Sequence, residues 1–237
     1  KKSSIIFLEK YLTNLDYYST FKKTDRKKKK NKIFSLINLK DGKTINTQEL
    51  EDDKRRCSTL KKYFIKKSIL DFGCGWGGFL VQIKKYCKSC SGLELRKNCI
   101  NFIEKNYKYI NISNNLNKFE KKFDVITLFH VLEHIPNQVE VLKQFRKKIN
   151  KGGKIIIEVP SAQDYLISLD NLPEFKKFTF WSEHLILHTE KSLKKILHVS
   201  GFKKIKIQYF QRYGYTNHLG WFIRNKPGGH EYFKKYE

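Results

Sequence analysis

The stretch Ile69-Leu70-Asp71-Phe72-Gly73-Cys74-Gly75-Trp76-Gly77-Gly78 reads as a short apolar strand, a glycine turn and the start of a helix. Glycine suits such a turn because the backbone has to bend tightly and lie against a ligand with no Cβ in the way. The ligand then meets the positive end of the helix that follows. Gly73, Gly75 and Gly78 also satisfy the Gly-x-Gly-x-x-Gly spacing of dinucleotide sites, so glycines alone do not choose the ligand. Asp71 biases the choice. A carboxylate just before the first glycine would repel a pyrophosphate and suits a cationic ligand instead. Glu94 lies 21 residues after Gly73, at the end of the next apolar run, where an acid can hold both hydroxyls of a ribose.

A second set of polar residues carries proton chemistry. His130 follows the apolar run Phe123–Phe129, and Glu133-His134 come just after it. Glu183-His184 stand later, in Phe180-Trp181-Ser182-Glu183-His184-Leu185-Ile186-Leu187-His188-Thr189. Histidine suits proton removal because its pKa lies near working pH. Nothing resembles the catalytic set of a dehydrogenase.

Strands alternating with helices must position these groups. The pattern predicts a helix over 57–65, strands over 68–72, 89–95, 109–112, 123–129 and 154–159, and helices over 77–86 and 99–106. Val139, Leu142, Phe145 and Ile149 mark one more helical face, stopped by Gly152-Gly153. Near-continuous apolar strands argue for a parallel α/β sheet covered on both faces. After Pro160 the alternation breaks. Residues 161–188 look like an insertion that covers the substrate, a helix resumes over 190–199, and β-like stretches follow at 203–210 and 218–223. Residues 1–56 are polar and basic, carry no catalytic motif, and read as a cap or appended segment on a domain spanning 57–237.

In this order and spacing, residues 57–160 resemble the core of the class I S-adenosylmethionine-dependent methyltransferases, of the type 23 kind. The matching features are the Asp-x-Gly-x-Gly-x-Gly loop at Asp71–Gly77, the acid Glu94, the run Phe123–Asn137 and Lys151-Gly152-Gly153 before an apolar strand. The resemblance implies a Rossmann-like, seven-stranded, mostly parallel sheet with an antiparallel last strand, and S-adenosylmethionine as cofactor. It implies that Asp71 suits the cationic methionine end, and that Gly73, Gly75, Gly77 and neighbouring backbone line that end. Glu94 would hold the ribose, Leu95 would pack on adenine and Asn114 or Asn115 would meet the adenine amine. Phe129 and His130 would lie beside the sulfonium and the acceptor.

The stretch around Glu183-His184 resembles the Glu-His-Leu motif of sugar methyltransferases, whose acid–histidine pair serves as base. That resemblance makes His184 the expected base, oriented by Glu183, with His130 as its rival, and a sugar or sugar-nucleotide of a cell-surface glycan the expected acceptor. Glu133-His134 instead resemble part of the divalent-metal site of quinone-precursor O-methyltransferases, with His130 where a third acid is expected. The alternative is therefore a small-molecule O-methyltransferase of that type. An acid in a first helical turn also suits the helix dipole, so Glu133-His134 are read as a helix start, and no metal is assigned.

The formal net charge of +26 and the block Lys22–Lys32, with eight Lys/Arg, leave an RNA-binding or RNA-modifying protein as a second alternative. Lysines pervade every segment, however, and such a block is usually a solvated loop, so a nucleic-acid partner is not expected. Cys87 and Cys90 form a Cys-x-x-Cys with no second pair to complete a zinc site, and are expected to be ordinary reduced thiols. No apolar run reaches the length of a membrane span, and the first residues lack a signal peptide's apolar core. A soluble, cytoplasmic enzyme is the expectation. The chain contains no methionine, so residue 1 need not be its true start.

Overall fold

The computed structural model describes residues 5–7, 36–38, 44–180 and 184–233. The block Lys22–Lys32 and the acid Glu183 lie outside the described residues. The chain forms two compact units, one of residues 13–132 and 144–158 and the other of residues 1–12, 133–143 and 159–237. Among the described residues no helix is long and apolar enough to cross a membrane.

The first unit is built on a parallel five-stranded sheet. Its strands are β1 (Ser68–Phe72), β2 (Ser89–Leu93), β3 (Ile110–Ser113), β4 (Phe123–Phe129) and β5 (Ile149–Glu158). They lie in the order β3-β2-β1-β4-β5, each pair parallel. Asp71 is paired with Gly92 on one side and Thr127 on the other. Phe129 pairs with Glu158. All the carboxyl ends that carry polar residues therefore open on one edge, where sheets of this kind bind ligands.

Apolar strands need cover on both faces, and the helices supply it. On one face Ile69, Cys90, Ile110 and Val125 pack with Phe64, Phe79, Leu80, Ile83, Phe102 and Ile103. Phe79 and Ile83 come from α2 (Gly78–Ile83), and Phe102 and Ile103 from α3 (Lys97–Asn106). Phe145, in α4 (Gln138–Lys148), meets Phe72 edge-on at 4.8 Å. Burying each such side chain stabilises the fold by roughly 1.5–3 kcal/mol.

The helix α1 (Thr47–Leu60) begins ten residues before the expected helix at 57, so the boundary drawn between 56 and 57 falls inside a helix. Its inward positions Asp52, Arg56 and Cys57 follow helical spacing, but two of the three are charged. An apolar stripe, the signal that marks a helix in sequence, is therefore missing.

The second unit carries α5 (Tyr165–Ser168), α6 (Pro173–Thr179), α7 (Glu190–Val199), α8 (Tyr215–Arg224) and α9 (Gly229–Tyr232). Ile186–Leu187 pairs antiparallel with Ile6–Phe7. Thr189 caps α7 reciprocally with Ser192. The expected sixth and seventh strands are not found among the described residues. Residues 203–210 join no sheet, and 218–223 lie in α8. Thr216, Asn217, Gly220 and Trp221 are buried, a spacing of period 3.6 rather than 2, and Trp221 packs on Phe175 with ring centroids 5.0 Å apart. Gly220 lets α8 touch Gly229, whose α-carbon would lie 2.7 Å from a Cβ placed there.

Candidate active site

The glycine loop is pinned to β2. The amides of Gly73 and Cys74 both donate to the Leu93 carbonyl, at 2.8 and 3.1 Å. Gly73 has φ +76°, and a Cβ there would stand 2.5 Å from a Val131 methyl. Gly77 has φ +81° and precedes α2. A side chain at either position would meet backbone strain, with a collision at Gly73 and a tight contact with Ile103, at 3.2 Å, at Gly77, so the loop is a backbone cradle.

Glu94 sits against that cradle and is buried. Its Oε2 accepts the Gly75 amide at 2.9 Å, and its Oε1 accepts the amides of Leu95 and Arg96 at 2.9 and 3.0 Å. Asn114, exposed, follows Ser113, whose carbonyl accepts the Glu94 amide at 3.0 Å. Loop, acid and the end of β3 thus adjoin. A left-handed glycine cradle beside a fixed carboxylate fits a ligand with an amino-acid end and a ribose.

The sequence did not anticipate Arg96. Its Nε and Nη2 donate to the two oxygens of Glu94, each at 3.1 Å. With three backbone amides already bound, the carboxylate's roughly four lone-pair sites are full. If Glu94 holds a ribose diol, as the sequence resemblance implies, Arg96 has to give up two of these sites. The pair is partly exposed and worth up to about 1 kcal/mol. Arg96→Ala should therefore tighten S-adenosylhomocysteine binding, by up to about fivefold. Calorimetric titration of both proteins checks this, and weaker binding in the variant would contradict it.

Asp71 lies under the loop, buried, and accepts the Thr127 hydroxyl at 2.7 Å. Burial pushes its carboxyl up to about 7, opposed by Thr127 and Arg56 and helped by the charges of Asp53 and Glu94. An unfolded aspartate ionises near pH 4. Between pH 4 and 7 the folded state holds the extra proton, so this group's contribution to stability falls as pH rises. The melting temperature of the wild type, minus that of Asp71→Asn, should decline across that window. A flat difference would show that Asp71 is charged throughout.

His130 follows β4 with φ +55°, a left-handed conformation uncommon outside glycine. Its amide donates to the Glu158 carbonyl at 2.8 Å, and its Nε2 lies 3.2 Å from Glu158 Oε1. Two arginines of α1 hold the same carboxylate. Arg55 Nη2 reaches both oxygens, at 2.8 and 3.0 Å, and Arg56 donates from Nη2 at 2.9 Å and Nε at 3.2 Å. Burial alone would raise the Glu158 carboxyl, but His130 and Arg56 outweigh it and hold it well below its ordinary value. Phe129 has its ring edge-on to Phe79 at 4.8 Å, with the Arg56 guanidinium 4.6 Å over its face. Sequence reasoning missed Arg55, Arg56, Asp53 and Glu158. Glu158 did carry a signal, as an acid at the end of an apolar strand like Asp71 and Glu94.

In the second unit Glu133, His134 and His184 come together, with ligand-capable atoms all within 4.8 Å of one another. Glu133 is fully buried and the two rings lie 5.0 Å apart. Glu133 and His134 occupy a 3-10 turn, Leu132–His134, rather than the start of α4. His184 Nδ1 lies 2.7 Å from the Thr179 carbonyl. That contact makes Nδ1 the protonated nitrogen. Nearby, His188 is buried between Gln138 at 2.6 Å and Ser192 at 3.1 Å. Burial lowers it to about 4, with the Glu133 charge pulling the other way, so it stays neutral.

The profile of a methyltransferase domain family matches residues 43–207. The chain belongs to this family of S-adenosylmethionine-dependent methyltransferases. Among curated proteins, this methyltransferase is similar to the ubiquinone biosynthesis O-methyltransferase of Coxiella burnetii, at 30% identity over 98 residues, which cover 38% of this chain and 42% of the relative. It is also similar to the enzyme of that name from Hydrogenovibrio crunogenus, at 23% identity over 44% of this chain and 47% of the relative. A sterol 4-C-methyltransferase of Caenorhabditis elegans is 26% identical over 54% of this chain and 42% of its own length. The chain spans less than half the length of the curated relatives it matches. Among solved structures, a SAM-dependent methyltransferase of Archaeoglobus fulgidus superposes with TM-score 0.55 and 25% identity, covering 68% of this chain and 73% of that one. A methyltransferase domain of this family uses S-adenosylmethionine.

Proposed function

We propose that this methyltransferase methylates a hydroxyl of a small molecule, with His130 taking up the hydroxyl proton. The observation that carries this reading is the contact between His130 Nε2 and Glu158. The carboxylate, itself held by two arginines, lies beside the ring and orients the imidazole just after β4, and histidine suits proton removal. S-adenosylmethionine supplies a methyl group made electrophilic by its sulfonium. Asp71, Gly73, Gly75, Gly77, Glu94, Leu95 and Asn114 bind and orient it, and positioning supplies much of the rate of such a displacement.

We favour a phenolic acceptor of the quinone-precursor kind. A phenol ionises near pH 10, as tyrosine does, which brings it within reach of a neutral imidazole. An alkyl hydroxyl of a sugar is a much weaker acid. The names of the curated bacterial relatives point the same way, and so does the grouping of Glu133, His134 and His184, a donor set that fits a divalent cation. Methylation of a sugar or sugar-nucleotide is the second reading, and rests on the stretch Phe180–Thr189 with His184 as base. Product analysis by mass spectrometry, with dihydroxylated aromatics and nucleotide sugars offered side by side, separates the two. Methylated phenol is expected. Turnover of nucleotide sugars alone would overturn the phenolic reading.

A further inference from the structure

Cys57, Cys74 and Cys99 are buried singly, but Cys87 and Cys90 have their sulfur atoms 2.9 Å apart. The pair belongs to neither the glycine cradle nor the His130 site. Rigid backbone holds both members in place. The Cys87 amide donates to the Ile83 carbonyl at 3.2 Å, at the end of α2. The two residues between the cysteines, Lys88 and Ser89, both donate to the Lys67 carbonyl, at 2.8 and 3.4 Å. Cys90 is locked in β2 between Ile69 and Ile110. A disulfide bond is about 2.05 Å long, so the sulfurs need approach by less than about 1 Å, a shift within reach of side-chain rotation.

The two thiols are not equivalent. Cys87 is half-exposed with Lys84 nearby, whereas Cys90 is buried under the Leu80 carbonyl. We propose that Cys87 and Cys90 close reversibly into a disulfide by exchange with a low-molecular-weight disulfide of the glutathione class, Cys87 attacking and Cys90 resolving. A hydrogen bond from Cys90 lowers the Cys87 thiol to about 7, with Lys84 assisting and burial opposing. The same bond and burial push the Cys90 thiol up. At neutral pH the nucleophile is therefore the accessible sulfur.

The chemistry balances in two exchanges. The Cys87 thiolate attacks one sulfur of the small disulfide, forming a mixed disulfide and expelling one thiolate. Cys90 then gives up its proton, attacks Cys87 Sγ and expels the second thiolate, which takes up a proton. The two cysteines lose two electrons together, and one disulfide becomes two thiols.

Incubating the full chain with oxidised glutathione, then alkylating it and measuring intact mass and linked peptides, tests the proposal. The wild type, with five cysteines, should keep three alkylatable thiols and yield one peptide linked through Cys87 and Cys90. Cys90→Ser should trap one glutathionyl group on Cys87, and Cys87→Ser should close no internal disulfide. Should Cys90→Ser fail to fold, the linked peptide of the wild type decides alone. Five alkylatable thiols after oxidation, or a disulfide through Cys57, Cys74 or Cys99 instead, would overturn it.

Discussion

Replacing His130 with alanine is expected to lower turnover by about 10²–10⁴-fold, the usual worth of a positioned general base. S-adenosylhomocysteine affinity should stay near that of the wild type, because the imidazole serves the acceptor's proton and not the nucleoside. Alanine tolerates a left-handed backbone poorly, and His130 has φ +55°. His130→Asn is therefore the companion variant, since asparagine is among the residues enriched there. Both should lose turnover alike. Sequence similarity favoured His184 as the base, so His184→Ala belongs in the same assay. The Thr179 carbonyl, at 2.7 Å, orients its ring in the described structure. If His184→Ala loses turnover while both His130 variants keep it, the base is His184 and the sugar reading gains.

The second large effect concerns Glu94. Removing its carboxylate should weaken S-adenosylhomocysteine binding by about 1.5–3 kcal/mol, roughly 10–150-fold, the worth of hydrogen bonds to a charged group. Stability should fall as well, because the amides of Gly75, Leu95 and Arg96 lose their acceptor. Glu94→Gln keeps an acceptor for those amides but lacks the charge, so it separates the two losses. Equal affinity in wild type and both variants would mean that the ribose lies elsewhere.

What the sequence revealed and what it hid have physical reasons. The five parallel strands were legible from the apolar stretches of β1, β4 and the end of β5 and from their regular alternation with helices, and Asp71, Glu94 and His130 fall at or just past the ends of β1, β2 and β4. The helix α1 was hidden because its inward face presents Asp52 and Arg56, which signal solvent in a sequence; here Asp52 pairs with Arg55 and Arg56 with Glu158. Residues 218–223 read as a strand because Leu219, Trp221 and Ile223 alternate with other residues. The glycines at 220 and 229 that let two helices touch carry no apolar signal at all. Arg96 was unreadable for another reason: its contact with Glu94 arises from the turn after β2, not from a periodic pattern.

Calorimetric titration of the full chain with S-adenosylhomocysteine, and separately with NAD, tests the central claim most directly. Saturable S-adenosylhomocysteine binding in the micromolar range, lost in Glu94→Ala, with no binding of NAD, is the predicted result. NAD binding tighter than S-adenosylhomocysteine would contradict it.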